Sequence, residues 1–248
     1  MSATQKPFLR FAMWSGPRNV STALMRSWGN RSDTFVCDEP LYAYYLWKTK
    51  LPHPGADEVI AHGETDWRKV VAWLTGPIPE GKRIFFQKQM SHHLLPEISR
   101  DWLAQLTHAF LIRHPRDMLV SLDEKTPAPS LPDTGFPQLA EIYEHVRAHT
   151  NQSCPVVDAR DLLENPRMIL KKLCGALGVE FDERMLLWPP GRRPTDGVWA
   201  KHWYQNVEKT TGFQPYKPKT GPLHAHLEPL LSQCLPYYEK LYAHRLTA

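Results

Sequence analysis

Cysteine is scarce in this chain of 248 residues, and its four cysteines are far apart. No two of them have the CxxC spacing, so the sequence offers neither a zinc knuckle nor a thioredoxin-type redox pair. Long apolar runs are also absent, since no stretch approaches the roughly 18 apolar residues of a transmembrane helix. The opening MSATQKP is polar, and the following FLRFAMW is too short for the apolar core of a signal peptide. These absences predict a soluble, reduced, cytoplasmic protein with no membrane association.

A strong excess of one charge is missing as well. The formal net charge is +4, and the longest basic cluster is GRR at 191–193. Chains that bind nucleic acid usually concentrate Lys and Arg on one element, so we expect no nucleic-acid partner. The mild positive balance suits a small anionic ligand instead. At 248 residues with 42% hydrophobic composition, the chain is predicted to form one α/β domain over 1–248 with a large core.

The sequence alternates between apolar strand-like segments and helix-like segments. This order predicts a three-layer α/β/α fold around a central, mostly parallel sheet. The segment 188–222 is rich in Pro, Gly and aromatic residues, so it is predicted to be irregular and a candidate lid over a ligand. Strands are predicted at 8–14, 34–37, 83–86, from 108 up to Pro115, and at 155–158; helices are predicted at 21–29, 65–75, 96–106, 115–122, 137–149, 165–177 and 223–245.

The first predicted strand leads into a loop of small, basic and hydroxyl residues. A loop between a strand and a helix directs backbone N–H groups and the positive end of the helix dipole at an anion. Gly16 allows close backbone approach, Ser21 and Thr22 can cap the helix or donate hydrogen bonds to phosphate, and Arg18 lies in the loop itself. The loop lacks the GK[ST] ending of a Mg²⁺-dependent nucleotide hydrolase. An ordinary helix cap after a Gly-Pro turn is the alternative. The loop reads Ser15-Gly16-Pro17-Arg18-Asn19-Val20-Ser21-Thr22.

A second segment, LIRHPRDMLVS at 111–121, has the same strand-to-helix character. Arg113 ends the strand, and Ser121 follows eight residues later, two turns into the next helix. Both side chains can converge with the first loop at the carboxyl edge of the sheet, where open α/β folds bind ligands. The planar fork of Arg and a directed Ser hydroxyl suit a phosphate. The alternative is that Arg113 pairs with a carboxylate and Ser121 faces solvent.

With both segments in view, the chain resembles the sulfotransferases that use 3′-phosphoadenosine 5′-phosphosulfate (PAPS). Residues 17–22 match the P-[KR]-S-G-[ST]-T loop that holds the 5′-phosphosulfate in that family. Residues 113–121 match R-x-P-[KR]-D-x-x-x-S, which holds the 3′-phosphate. The stretch VVDARDLLENPRMILKKLCGALGVEFD at 156–182 resembles the family's last core strand and helix. The resemblance implies a P-loop NTPase-like fold and sulfuryl transfer from PAPS, without a metal, to a hydroxyl or amine of a small-molecule or carbohydrate acceptor.

The resemblance also implies how the charge of the reaction is handled. Negative charge builds on the leaving 5′-phosphate, and Arg18 with the loop N–H groups would stabilise it. Lys88 is expected to contact the phosphosulfate, as basic residues on this strand do in the family.

A general base must take the proton of the acceptor. The aryl and steroid branch of the family carries a histidine in a K-T-H-L-P segment, but FQKQMSHHLLP places Gln89 there, and His92 and His93 are displaced by three and four residues. Carbohydrate sulfotransferases use a glutamate after the second strand, and CDEPLYAYYL supplies Asp38 and Glu39. We therefore expect Glu39 to be the base, with Asp38, His92 or His93 as alternatives. Either acidic residue would otherwise cap the next helix.

The acceptor and adenine sides are less fully specified. No R-K-G occurs, so the segment 200–213, with Lys201, Lys209 and Gly212, is the candidate cover for the adenine. The aromatic residues that can line an acceptor pocket, or simply pack in the core, are Tyr42, Tyr44, Tyr45, Trp47, Trp199, Trp203, Tyr204 and Phe213.

Two other functions stay open at this point. Gln89 at the expected histidine position is compatible with a non-catalytic, sulfotransferase-like nucleotide-binding protein. A P-loop small-molecule kinase would need Mg²⁺ ligands and a lysine clamp, which the first loop lacks. The helical C-terminal face is compatible with a homodimer.

Overall fold

The computed structural model describes residues 8–219 and 221–247 of the chain, so the polar opening 1–7 lies outside the described residues. Five parallel strands form one sheet in the order β2-β3-β1-β4-β5. Helices cover both faces of this sheet, which confirms the predicted α/β/α fold. The strands are β1 (Leu9–Ser15), β2 (Thr34–Asp38), β3 (Ile84–Met90), β4 (Thr107–Ile112) and β5 (Val156–Asp158).

The alternation of side chains along the central strands builds two hydrophobic layers. On one face, Trp14 and Phe110 pack with Leu139 and other residues of the helices α6 and α10. On the other face, Phe11 and Phe86 pack with residues of α1 and α8. The helices are α1 (Ser21–Gly29), α2 (Tyr42–Thr49), α3 (Ala56–His62), α4 (Trp67–Thr75), α5 (Pro115–Asp123), α6 (Phe136–His149), α7 (Ala159–Glu164), α8 (Pro166–Ala176), α9 (Ala200–Trp203) and α10 (Glu228–Tyr242).

The predicted helix at 96–106 is wrong. Only a short 3₁₀ turn, Asp101–Gln105, forms there. The guanidinium of Arg100 donates hydrogen bonds to the carbonyl oxygens of Leu94, Leu95 and Ile98, of which those of Leu95 and Ile98 would accept backbone N–H groups in the predicted helix. Side-chain bonds of this kind offer the backbone an alternative to helix formation. The last helix is also shorter than predicted, since α10 begins at Glu228 after a 3₁₀ turn.

The structure bears on two of the sequence predictions, the lack of a transmembrane helix and the lack of paired cysteines. Within residues 8–219 and 221–247, no helix is long and apolar enough to cross a membrane. The four cysteines are free thiols, and three of them are buried. Burial raises the pKa of Cys174 and of Cys234 to about 11, so these two stay protonated and serve as core residues.

The strand order places the functional loops at one edge of the sheet. The strand β1 lies between β3 and β4, so the loop after β1 and the loop after β4 flank a crevice at the carboxyl ends. The strands β2 and β3 are paired so that Asp38 lies opposite Lys88. Ser15, the last residue of β1, lies opposite Met90 at the end of β3. This register brings the ends of four strands to one crevice.

Candidate active site

The loop after β1 is held in an unusual backbone conformation. Arg18 and Val20 both have positive φ, 60° and 56°. Such a conformation costs a non-glycine residue about 1–3 kcal/mol, and more for a β-branched one, and it clusters at functional sites. The expected cap by Ser21 or Thr22 is wrong, because Val20 occupies the N-cap position and no side chain caps the helix. The first-turn N–H groups of α1 have no partner within the helix, so they are free for an anion.

Gly16 lies where the loop passes against a neighbouring turn. A Cβ atom at this position would stand 2.5 Å from the carbonyl oxygen of Thr134. We expect Gly16→Ala to lower the free energy of unfolding by about 1–3 kcal/mol, because backbone must shift to admit the methyl group.

Denaturant unfolding checks this expectation. Gly175→Ala is the matched control, since Gly175 lies in α8 with no atom within 4 Å of the added methyl. The control is expected to keep or raise stability, because alanine is the better helix former. Equal stability of Gly16→Ala and wild type would contradict the tight packing of this loop.

The two arginines that the sequence singled out meet at this loop. The Nε of Arg18 donates a hydrogen bond to the Oγ of Ser121 at 2.9 Å. The guanidinium of Arg113 donates to the carbonyl oxygen of Arg18, also at 2.9 Å. The structure thus brings Arg18, Arg113 and Ser121 together from two separate strand ends.

Neither of these two guanidinium groups forms an ion pair with a carboxylate among the described residues. Among the residues that the structure describes, neither Arg18 nor Arg113 has a carboxylate oxygen within 4.0 Å. Burial lowers the pKa of both; Glu124 partly offsets this for Arg18 while Arg113 lowers it further, and Asp117 and Asp158 partly offset it for Arg113. Arginine nevertheless stays protonated in proteins. Two half-buried positive charges without a carboxylate in direct contact indicate a site for an anionic ligand.

Lys88 organises the acidic side of the crevice. This lysine of β3 is 1% exposed. Its Nζ lies 2.8 Å from Oδ1 of Asp38, 2.6 Å from Oε1 of Glu39 and 2.6 Å from the hydroxyl of Tyr204. The three protons of the ammonium group are therefore all engaged. Contact between Lys88 and a phosphosulfate stays a prediction, and it would require one of these bonds to break.

Asp38 and Glu39 differ in how many of their carboxylate oxygens are hydrogen-bonded. Lys88 binds one oxygen of Asp38, and the hydroxyl of Tyr204 donates to the other at 2.6 Å. Glu39 has φ 45° and lines the cavity, with Oε1 on Lys88. Neither residue caps α2, whose N-cap is Leu41. Burial raises the pKa of Glu39, the charge of Lys88 partly offsets this, and Asp38 raises it again. Glu39 is thus the carboxylate presented to the cavity, and it is a stronger base than an exposed glutamate.

The two histidines follow β3 in the turn Ser91–His93, and both line the cavity. His93 stacks on Tyr42 at 4.7 Å and on Tyr45 at 4.6 Å between ring centroids. Burial lowers the pKa of His92 to about 4 and that of His93 well below its ordinary value. Both imidazoles are therefore neutral and weakly basic near neutral pH. The raised pKa of Glu39 and the lowered pKa values of the histidines support the prediction that Glu39 accepts the proton.

One cavity of about 800 Å³ connects these groups. It extends from the loop after β1 past Arg113 and Ser121 to Glu39 and the histidines, and the segment 203–217 contributes to its wall. Of the predicted aromatic lining, Tyr42, Tyr45, Trp203 and Tyr204 face the cavity. Tyr44 instead donates to Glu97, Trp47 is solvent-exposed, Trp199 packs edge-on against Tyr42, and Phe213 packs against Trp188.

Only part of the segment predicted to cover the adenine, residues 200–213, lines the cavity. Lys209 and Gly212 line the cavity, whereas Lys201 pairs with Glu58 at the surface. The segment 188–222, predicted to be a lid, contains the short helix α9. Residue 220 of this segment lies outside the described residues.

Residues 9–245 match a family model described as a sulfotransferase domain. This chain belongs to the sulfotransferase domain family. The curated "Branched-chain-amino-acid aminotransferase-like protein 2" of Arabidopsis thaliana is 37% identical over 233 residues, or 93% of this chain. This sulfotransferase domain spans only 41% of that protein's length, so the name of the whole protein does not carry over.

Two solved structures of sulfotransferases have the same fold. The sulfotransferase domain from the Synechococcus PCC 7002 olefin synthase superposes with a TM-score of 0.57 at 19% identity, covering 99% of this chain and 98% of that one. A sulfotransferase from Alicyclobacillus acidocaldarius superposes with a TM-score of 0.56 at 11% identity, covering 96% of each chain. At these identities the similarity establishes the fold of this sulfotransferase domain.

Sequence reasoning missed Asp117, and it named Tyr204 only as a candidate aromatic lining residue, without its hydrogen bonds. Asp117 accepts a hydrogen bond from the hydroxyl of Tyr216 at 2.9 Å and so holds the segment 203–217 against α5. Asp117 is the D of the matched R-x-P-[KR]-D-x-x-x-S pattern, so a signal was present. Tyr204 binds Lys88 and Asp38 from more than a hundred residues away. No spacing in the sulfotransferase domain indicates that contact.

Proposed function

We propose that this domain transfers a sulfuryl group from PAPS to a hydroxyl or amine of a small-molecule or carbohydrate acceptor. One observation carries the proposal: Arg18 and Arg113 meet beside the first turn of α1, and neither forms an ion pair with a carboxylate among the described residues. Two cations without a direct ion-pair partner favour a ligand with more than one negative group.

The residues present fit this donor. The free N–H groups of the loop after β1, together with Arg18, would hold the 5′-phosphosulfate, and Arg113 with Ser121 would hold the 3′-phosphate. A cavity of about 800 Å³ lies within the range of ligand sites. When bound, PAPS supplies the sulfuryl group and leaves as adenosine 3′,5′-bisphosphate.

Arg18 acts as an electrostatic clamp on the leaving phosphate. Its guanidinium keeps its charge, so it stabilises developing negative charge and does not deliver a proton. The Nε now donates to Ser121 from within the cavity wall, so the side chain is already directed towards the anion site.

Glu39 takes the proton that the acceptor hydroxyl or amine loses. One oxygen of Glu39 stays on Lys88, and the residue lines the cavity. Lys88, Asp38 and Tyr204 fix the orientation of this carboxylate, so we assign Lys88 a positioning role. Tyr42, Tyr45 and His93 stack on one another and line the cavity on the side where the acceptor would bind.

Incubation of the purified chain with PAPS labelled in its sulfuryl group tests the proposal. The acceptor panel holds phenols, sugar alcohols and primary amines, and parallel reactions contain ATP with Mg²⁺. Transfer to at least one acceptor in the presence of chelator is the expected result. Metal-dependent turnover of ATP without transfer would favour the kinase. Tight binding of adenosine 3′,5′-bisphosphate without transfer to any acceptor would favour the non-catalytic binding protein.

A further inference from the structure

A second polar cluster lies on the outer side of α5. Asp123 is the last residue of α5; His224 precedes the 3₁₀ turn Ala225–Leu227 before α10, and His226 lies within that turn. Packing of α10 against α5 brings these residues together across a hundred positions of sequence. Within the described part of the chain, no other group of three His, Cys, Asp or Glu side chains holds its ligand atoms within 4.8 Å of one another.

The distances in this cluster match those of a metal coordination shell. The Nε2 of His226 lies 3.0 Å and 3.1 Å from the two carboxylate oxygens of Asp123. The Nδ1 of His224 lies 3.4 Å from Oδ2 of the same carboxylate. Ligands about 2.0–2.2 Å from a tetrahedral Zn²⁺ stand about 3.3–3.6 Å apart, so small side-chain rotations suffice to admit an ion.

We propose that Asp123, His224 and His226 bind one divalent transition-metal ion of the zinc class. Two imidazole nitrogens and one carboxylate are ligands that such ions take in proteins. The histidine side chains are 74% and 49% exposed, so the ion reaches the cluster from solvent and water completes its coordination. The absence of a metal was expected for sulfuryl transfer. This site is separate from the reaction groups and does not rest on the proposed function.

The ion fastens the segment that helps to cover the cavity. The helix α5 already holds this segment through Asp117, which accepts from the Tyr216 hydroxyl at 2.9 Å and from the Lys219 N–H at 3.4 Å. Arg116 on the same helix donates to the carbonyl oxygen of Gly221. A metal at Asp123 adds a stronger tie at the far end of the segment. Because Ser121 lies on the same helix, the tie stabilises the wall of the cavity beside the anion site.

Titration of the chelator-treated chain with cobalt chloride, followed by visible absorption, tests the proposal. We expect ligand-field bands that saturate at one ion per chain, and displacement of the cobalt by zinc chloride. His226→Ala and Asp123→Asn are each expected to weaken binding at least tenfold. The side chain of His226 is 49% exposed, whereas that of Asp123 is 14% exposed and accepts a hydrogen bond from the Ala128 N–H. Circular dichroism therefore checks that both variants are folded.

A matched control separates this site from other exposed histidines. His145 and His149 stack one helical turn apart on α6 and offer a second surface pair. The double variant His145→Ala/His149→Ala is expected to keep the cobalt bands. Zinc is also expected to raise the melting temperature of wild type and to slow proteolysis within 204–219, and to do neither in His226→Ala. The proposal is overturned if wild type takes up no cobalt, or if His224→Ala/His226→Ala binds it as wild type does.

Discussion

Glu39→Gln is expected to lower kcat for sulfuryl transfer by about 10²- to 10⁴-fold, the range typical for loss of a general base. Glutamine keeps the size of the side chain and an oxygen for Lys88, but it accepts no proton from the acceptor. Lys88 remains bound to Asp38 and Tyr204, so the fold is expected to persist. Affinity for adenosine 3′,5′-bisphosphate is expected to stay unchanged, because Glu39 lies on the acceptor side. Steady-state kinetics and calorimetry on the same preparation measure both quantities.

The pH profile gives this prediction a second readout. Glu39 must be ionised to act, and burial raises its pKa, so wild-type kcat is expected to fall as the pH drops through that raised value. The acidic limb should disappear in Glu39→Gln. Glu97→Gln is the matched control, since Glu97 accepts from Tyr44 outside the cavity and should leave kcat unchanged. Full activity of Glu39→Gln, with loss in a His92→Ala/His93→Ala variant, would transfer the role of base to the histidines.

Arg18→Ala is expected to lower kcat by about 10²- to 10³-fold, as removal of one preorganised charge-stabilising donor does. The loop N–H groups remain, so part of the stabilisation of the leaving phosphate is retained. Lysine at this position restores a positive charge without the planar fork, so Arg18→Lys is expected to recover part of the rate.

The control for this substitution is a surface arginine. Arg184 pairs with Asp182 away from the cavity, so Arg184→Ala should leave kcat and KM unchanged. An Arg18→Ala enzyme with wild-type kcat and only a raised KM would show that Arg18 binds the ground state and the transition state equally. That result would remove its assigned part in the chemistry.

The parts of this fold that sequence predicts are those encoded by local pattern. Short apolar runs marked all five strands, and Pro115 marked the first residue of α5. The loop at 15–22 and the Arg113 segment could be assigned to one crevice because parallel strands share a carboxyl edge.

The parts that could not be predicted depend on partners distant in sequence. Lys88 donates hydrogen bonds to Asp38, Glu39 and Tyr204, and Tyr204 comes from the irregular C-terminal segment. No local pattern predicts that Lys88 gives its protons to carboxylates. The helix expected at 96–106 failed because Arg100 binds the backbone carbonyls. The N-cap of α1 was misassigned because the loop after β1 holds Val20 at the N-cap position with a positive φ.

Calorimetric titration with adenosine 3′,5′-bisphosphate tests the central claim, that two arginines from separate strand ends hold one bisphosphate nucleotide. Wild type is expected to bind one nucleotide per chain. Arg113→Ala is expected to bind it roughly 10- to 150-fold more weakly, the equivalent of about 1.5–3 kcal/mol for a charged hydrogen bond. Arg184→Ala should match wild type. Absence of binding to wild type, or equal affinity in Arg113→Ala, would contradict the account.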